Sequence, residues 1–370
     1  MAHQEFDRFA INMEPLSSRD NKKRIEQDHV PIDQKPKKLT GSAARVMEEL
    51  TERIQAARRL GRPVIVAYGA HAIKNGLALV FIQLMERGWV THLATNGAGV
   101  IHDWEFAFQG KSCEDVGAMV EQGRFGNWEE TGFNINLAFN VGAYEGRGYG
   151  ESVGAMIENQ GLQIPSRQEL QAVVDQSLAS DPQQAAAAAD LAYVVDAFDL
   201  PPGKLEVSYP WKKFSVQAAA FRLGVPSTGH PMIGHDIIYN HPMNHCASLG
   251  RAAQRDFLIY ANGVSQLDGG VYISIGSAVM SPMIFEKSLS IAQNLAIQRG
   301  ERIKNHYIVV NDLAESRWDW SQGEPPEDDP AYYLRYNKTF SRMGGAMNYL
   351  QADNREFLLT LLQALGPRTV

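Results

Sequence analysis

The run Leu93-Ala94-Thr95-Asn96-Gly97-Ala98-Gly99-Val100-Ile101-His102-Asp103 reads as a strand that turns through small residues into a helix. Glycines in such a turn let backbone N–H groups approach a pyrophosphate or a ribose, and the helix N-terminus behind them favours negative charge. The run is not a full G-x-G-x-x-G, and tight strand-to-helix packing accounts for it equally well when it is taken alone. Three other segments add weight, because Gly69-Ala70-His71, Ser274-Ile275-Gly276-Ser277 and Gln351-Ala352-Asp353-Asn354 also place small or polar residues after apolar runs. Ligands of open α/β sheets bind at the carboxyl ends of the strands. The expected ligand is a dinucleotide.

Histidines gather at His230, His235, His241 and His245, the last two at i, i+4 spacing, with Asp236 among them. A divalent metal needs such a set. Ordinary hydrogen-bonded histidines beside a glycine-proline turn fit it better, and no metal is expected. Cys113 and Cys246 form no C-x-x-C pair, which suits a reducing cytoplasm. A net charge of -7 argues against a nucleic-acid partner, which selects for clustered Lys and Arg, and leans toward a small cationic substrate.

The elements that must hold these residues follow from periodicity. With 44% hydrophobic and 21% charged residues, the composition is that of an ordinary globular enzyme. Residues 1–40 are polar, as in Arg19-Asp20-Asn21-Lys22-Lys23-Arg24, and read as a mobile arm. Residues 41–370 read as one domain. Val46, Met47, Leu50, Ile54, Ala57 and Leu60 predict a helix that stops at Gly61, and Pro63 to Gly69 is a strand buried on both faces. A helix over 73–87 and a strand over 91–96 complete a βαβ unit. The glycines crowded between Gly123 and Gly154 predict a long loop, with Tyr144 and Tyr149 as a candidate subunit contact. Ser166-Arg167-Gln168-Glu169 is a capping box. Helices over 211–223, 243–260, 281–299 and 354–364 then alternate with strands at 225, 270–276, 306–311 and 348–352. The fold class is α/β, a doubly wound, mostly parallel, Rossmann-like sheet. No run is long and apolar enough to span a bilayer, and the first 38 residues lack a signal-peptide core, so no membrane partner is expected. Asn337-Lys338-Thr339 therefore carries little weight as a glycosylation site.

In the order of its motifs the chain resembles the deoxyhypusine synthase family, collinearly over roughly residues 60 to 365. The likeness rests on Tyr68-Gly69-Ala70-His71-Ala72-Ile73-Lys74-Asn75-Gly76, on Thr95 to Gly99 with Asp103 and Glu105, and on Val225-Pro226 leading to Asp236. It continues through Val271-Tyr272-Ile273-Ser274-Ile275-Gly276, Tyr336-Asn337-Lys338 and Tyr349-Leu350-Gln351-Ala352-Asp353. Where the family has a histidine pair, this chain has Ser281-Pro282 and then Phe285; Ala98 replaces a glycine and His102 an acid.

The resemblance implies an NAD-dependent transferase that moves an aminobutyl group from a polyamine, through an imine on a lysine, to an acceptor amine or protein lysine. It assigns Lys338 as the covalent carrier, and such a lysine must be unprotonated to attack. Asp236, Asp319, Asp328, Asp329 and Tyr336 become substrate contacts, with Glu327 in the same acidic stretch and Trp318 and Trp320 as an aromatic wall for alkylammonium groups. The implied cofactor positions are His71, Asn75, Asn96, Gly97, Ala98, Gly99, Asp103, Gly276, Ser277, Asp312, Asp353 and Asn354. A homotetramer is also implied. Two alternatives stand beside this reading. The Asn96 to Glu105 run also looks like the ornithine-cyclodeaminase-type branch, which implies NAD-dependent oxidation and deamination of an amino acid, and a non-catalytic NAD-binding protein would share the fold alone.

Overall fold

The computed structural model describes residues 3–368. The chain divides into two compact units, where the sequence pattern suggests a single domain from residue 41. One holds the chain through Glu26 with Val100–Ala218 and Pro231–Arg255; the other holds Gln27–Gly99, Ala219–His230 and the chain from Asp256 onward. Among the described residues no helix is long and apolar enough to cross a membrane.

The second unit carries the large sheet. Its strands are β1 (Val64–Tyr68), β2 (His92–Asn96), β3 (Ser227–His230), β4 (Val271–Ile275), β5 (Tyr307–Asp312) and β6 (Ala346–Gln351). Their spatial order is β6-β5-β4-β1-β2-β3, and every pairing is parallel. The fold is therefore α/β and Rossmann-like, as the alternating pattern predicts. Every residue of β1 and β4 is buried, which is why both read as continuous apolar runs without alternation. The edge strand β6 is only partly buried. Ile65, Ala67, Tyr272, Phe285, Ile308, Val310, Phe340 and Met347 build the core on one side of this sheet.

The first unit is mostly helical. Helices Glu129–Tyr144, Tyr149–Glu158, Arg167–Ser177 and Pro182–Ala197 surround a separate core containing Trp104, Trp128, Ile135, Phe139, Tyr149 and Leu191. The capping box forms as expected: Ser166 and Glu169 satisfy each other's backbone N–H groups at the start of the third of these helices.

The long loop expected between Gly123 and Gly154 is instead largely two helices. Their glycines serve close packing. A Cβ on Gly132 would sit 2.6 Å from the His241 side chain, and one on Gly142 would sit 1.9 Å from the Ser152 hydroxyl. Tyr149 is fully buried and Tyr144 half-buried, and the exposed positions of the turn between the two helices are Glu145 and Gly146.

Residues 3–40 also differ from the expected mobile arm. Leu16, Ile25 and Val30 are buried, and Arg19 is only 6% exposed. The Arg19 guanidinium grips Glu105 with two hydrogen bonds of 2.8 and 2.6 Å. Thr131 donates to the same carboxylate at 3.1 Å, as does Ser112 at 2.5 Å. A polar sequence here conceals a buried, fully hydrogen-bonded ion pair, the one setting in which a charge enters a core.

Candidate functional site

The strand order has one reversal point. From β1 the chain proceeds to β2 and β3 on one side, while β4, on the other side of β1, leads to β5 and β6. Such a reversal opens a crevice at the carboxyl ends of the two central strands. Gly69 follows β1 and Gly276 follows β4. The Gly69 N–H donates to the Ile275 carbonyl at 3.0 Å, and a Cβ on Gly69 would lie 2.1 Å from the Gly276 carbonyl oxygen. No side chain fits there. Gly276 adopts φ 53°, in the left-handed region that favours glycine, and a Cβ on it would stand 3.1 Å from the Asn354 amide nitrogen.

Asn311, which precedes the last residue of β5, is fully buried. Its Nδ2 donates to Asn354 Oδ1 at 3.0 Å, while its Oδ1 accepts nothing among the described residues. An unsatisfied buried acceptor costs about 1–3 kcal/mol and calls for a donor from elsewhere. Ser277 is also buried, and its hydroxyl oxygen accepts from the Ser281 N–H at 3.2 Å, holding the start of helix Met280–Gln298. Gly69, Gly276, Ser277, Asn311 and Asn354 thus form one group at the central strand ends. Asn311 has no exposed surface, so this group lies beneath the rim, where Gly69 and Gly276 let the ends of the two central strands pack backbone to backbone.

The other expected cofactor positions have local structural duties. Asn96 Oδ1 accepts the Gly99 N–H at 2.9 Å, so Asn96 caps helix Gly97–Gln109, whose first turn holds Gly97, Ala98 and Gly99. A Cβ on Gly99 would meet Thr95 Oγ1 at 2.1 Å, which makes strand-to-helix packing the reason for that glycine. Asn75 closes the short helix Ala70–Lys74. His71 in that helix is exposed; burial, then Lys74, lowers its pKa, while Asp312 opposes them. Asp312 ends β5 and accepts from the Leu313 N–H at 2.7 Å. Asp353 caps helix Asn354–Leu365 through the Arg355 N–H at 2.9 Å.

Lys338 lies on helix Arg335–Ser341. Its Nζ sits 3.4 Å from the centroid of the Tyr332 ring and 3.9 Å from a Glu324 oxygen. Glu324 also pairs with Arg342. Asp319 and Asp329 cap short 3-10 helices, accepting from Ser321 N at 3.1 Å and Ala331 N at 2.8 Å, and Asp328 and Glu327 are exposed. Tyr336 is half-buried; burial, with Asp312 adding to it, raises its pKa. The indole N–H of Trp318 donates to the Gly323 carbonyl and that of Trp320 to Ser316, each at 2.9 Å, so both rings brace their own loop. Asn337 is fully buried, which closes the sequon.

Asp103 and Asp236 belong to the helical unit. The Asp103 carboxylate accepts from Ser215 Oγ at 2.6 Å, Val216 N at 2.8 Å and both nitrogens of Gln217 at 3.2 Å. It anchors the start of helix Val216–Leu223, which accounts for its burial without a cofactor. Burial pushes the Asp236 carboxyl up to about 6, against a 3.3 Å hydrogen bond from Met232 N and the nearby His235. His241 Nδ1 accepts the Met243 N–H at 3.0 Å, and His245 Nδ1 meets Ser248 Oγ at 3.2 Å. Among the described residues no three His, Cys, Asp or Glu side chains gather as metal ligands.

The residue missed from sequence was Asn311. Its signal was modest, a polar Asn-Asp pair closing the apolar run Tyr307-Ile308-Val309-Val310.

No family model and no curated protein matches the chain. Among solved structures it is similar to a conserved LOR/SDH protein from Methanococcus maripaludis S2, at 14% identity and a TM-score of 0.43, over 90% of this chain and 70% of that one. It is also similar to apo ArgZ, an arginine dihydrolase from the ornithine-ammonia cycle in cyanobacteria, at 14% identity and a TM-score of 0.41, over 89% of this chain and 34% of that one. A ternary complex of AgrE with ornithine and NAD+ gives 14% identity and a TM-score of 0.43, over 89% of this chain and 34% of that one. The chain thus spans about a third of the ArgZ and AgrE chains.

Proposed function

We propose that the sheet-bearing unit binds NAD at the carboxyl ends of β1 and β4, and that the protein is an NAD-dependent enzyme acting on a small amine. The single observation that carries this is the reversal of strand order beside β1 in an all-parallel sheet, the place where open α/β sheets bind their ligands. The chemistry that NAD would supply there is that of a hydride acceptor for a carbon beside an amine nitrogen. Asn311 and Asn354, bonded to each other beneath the rim, would form the floor of the cofactor site, and Gly69 and Gly276 would let the two strand ends close over that floor backbone to backbone. His71, on the helix that follows β1, is a candidate proton acceptor, its pKa lowered by partial burial and by Lys74.

Calorimetric titration with NAD tests the cofactor. Binding is expected, and Asn311→Ala should weaken it about tenfold, the worth of one buried hydrogen bond. No heat from wild-type protein with either NAD+ or NADH removes the proposal.

Two reactions follow from this site. In the first, Lys338 carries an aminobutyl group taken from a polyamine, with Asp319, Asp328 and Asp329 supplying negative charge for the substrate and a second amine as acceptor. In the second, an amino acid such as ornithine is oxidised and deaminated with no covalent carrier. The contacts of Lys338 favour the second, because its Nζ is engaged by the Tyr332 ring and Glu324 and would have to leave both to serve as a carrier. Borohydride added with NAD and spermidine distinguishes them: a stable mass increase on Lys338 supports the carrier, whereas ammonia release from ornithine with no adduct supports deamination.

A further inference from the structure

Residues 34–40 of the sheet-bearing unit, just ahead of helix Gly41–Arg59, have neither helix nor strand and form a strap. Pro36 fixes its own φ and favours extended backbone at Lys35. Two hydrogen bonds fasten the strap to helix Asn354–Leu365: the Gln363 side-chain amide donates to the Gln34 carbonyl at 2.8 Å, and the Glu356 carboxylate accepts the Lys37 N–H. From Gln34 to Lys37 an extended chain covers roughly 10 Å, as does a helix from Glu356 to Gln363, so the strap runs antiparallel along this helix.

Between the strap and the two helices lies a cavity of about 670 Å³, open to solvent and of a size that suits a small molecule. Leu39, Ala44, Met47 and Ala364 give it apolar surface. Its charges are segregated by element. Lys35, Lys37 and Lys38 come from the strap, whereas Glu48 and Glu52, one turn apart, come from the helix that carries Met47. Among the described residues none of these five side chains takes part in an ion pair, although the neighbouring Glu49 pairs with Arg53 at 3.1 Å. Cations and carboxylates therefore line one cavity without neutralising each other. That arrangement selects the occupant. A simple anion meets the lysines but is repelled by Glu48 and Glu52, a simple cation suffers the reverse, and an uncharged apolar molecule answers none of the five charges. A molecule with one charge of each sign on an apolar body answers both sets.

We propose that this cavity binds a small zwitterion with an apolar body, an α-amino acid whose side chain is aromatic or aliphatic. Its carboxylate faces the lysines of the strap, its ammonium faces Glu48 and Glu52, and its side chain lies on Leu39 and Met47. The lining belongs wholly to the sheet-bearing unit and shares no residue with the proposed cofactor site, so the inference is independent of NAD binding and of the reaction.

The test is calorimetric titration with L-phenylalanine, 3-phenylpropionate and phenethylamine, the last two each lacking one of the two charges. Phenylalanine is expected to bind with a Kd of about 1 mM or tighter, as suits a ligand of its size in an open cavity, and each singly charged analogue about tenfold more weakly. Glu48→Gln combined with Glu52→Gln should weaken phenylalanine about tenfold and tighten 3-phenylpropionate, because the repulsion of its carboxylate is gone. Lys35→Gln, Lys37→Gln and Lys38→Gln together should weaken phenylalanine and tighten phenethylamine. All five side chains are exposed, so neither set should change the melting profile. No heat from phenylalanine at about 10 mM would overturn the proposal. So would either analogue binding as tightly as phenylalanine, or phenylalanine binding that both sets of substitutions leave unchanged.

Discussion

Arg19→Met is expected to destabilise the protein by about 3–5 kcal/mol, the cost of leaving a buried charge without its partner. Burial by itself would raise the Glu105 pKa, but the charge and hydrogen bonds of Arg19 overcome it and hold the carboxylate below its ordinary value. Arg19 and Glu105 side chains are 2% and 1% exposed, so water cannot replace either partner. The loss should depend on pH. In the wild type, Glu105 has a lowered pKa and contributes stability above its unfolded pKa, which is lost as pH falls. In the variant, unpaired burial raises the same pKa, so its contribution is present below the unfolded value and lost as pH rises. The deficit should therefore be larger at pH 8 than at pH 5. Urea unfolding of wild type, Arg19→Met and the double variant Arg19→Met/Glu105→Leu would check this. The double variant should recover most of the loss, because replacing both charges by apolar groups removes the stranded ion. A single variant within about 0.5 kcal/mol of wild type at pH 8 would return the N-terminal segment to a solvated arm.

The second large effect is acid lability of the sheet-bearing unit. His92 and His230 are 3% and 8% exposed and share one hydroxyl, Thr228 Oγ1, at 3.2 and 3.0 Å. The Tyr260 ring packs edge-on against both imidazoles. Burial pushes His92 down to about 4 and His230 to about 3, the nearby His92 adding to the second shift. Both rings must therefore stay neutral in the folded state, whereas in the unfolded chain they protonate at the ordinary value of 6.5. Their contribution is complete above that value and declines as pH falls toward the folded values. At pH 4.5 the two together cost on the order of 5 kcal/mol relative to neutral pH. Asp103, whose pKa burial raises, works in the opposite direction, so the informative quantity is a difference between variants. His92→Gln should remove about half of the histidine contribution to the pH dependence, read from urea midpoints between pH 7 and 4.5. Equal pH slopes in wild type and variant would refute this.

Were NAD to bind as proposed, it would raise the stability of the same unit by mass action, a readout that does not depend on turnover.

The chain's own pattern determined the α/β class, the central strands and the helices that follow them, because strands buried on both faces must be apolar and β-branched, and helices covering them must repeat near every 3.6 residues. Val64–Tyr68, Val271–Ile275 and Met280–Gln298 were legible on that ground. The rim that gathers Gly69, Gly276, Ser277 and Asn354 was also visible, as small or polar residues closing apolar runs. Tertiary structure alone decided the rest. Gly132 and Gly142 look like loop residues until His241 and Ser152 are seen against them; Arg19 looks like solvent-facing charge until Glu105 is seen beneath it. Asn311 looks like a strand end until its partner Asn354, 43 residues later in sequence, is seen to take one side of its amide and leave the other open. The physical reason is common to all four: periodicity records whether a side chain meets water or core, whereas the identity of a long-range partner exists only once the chain has closed on itself.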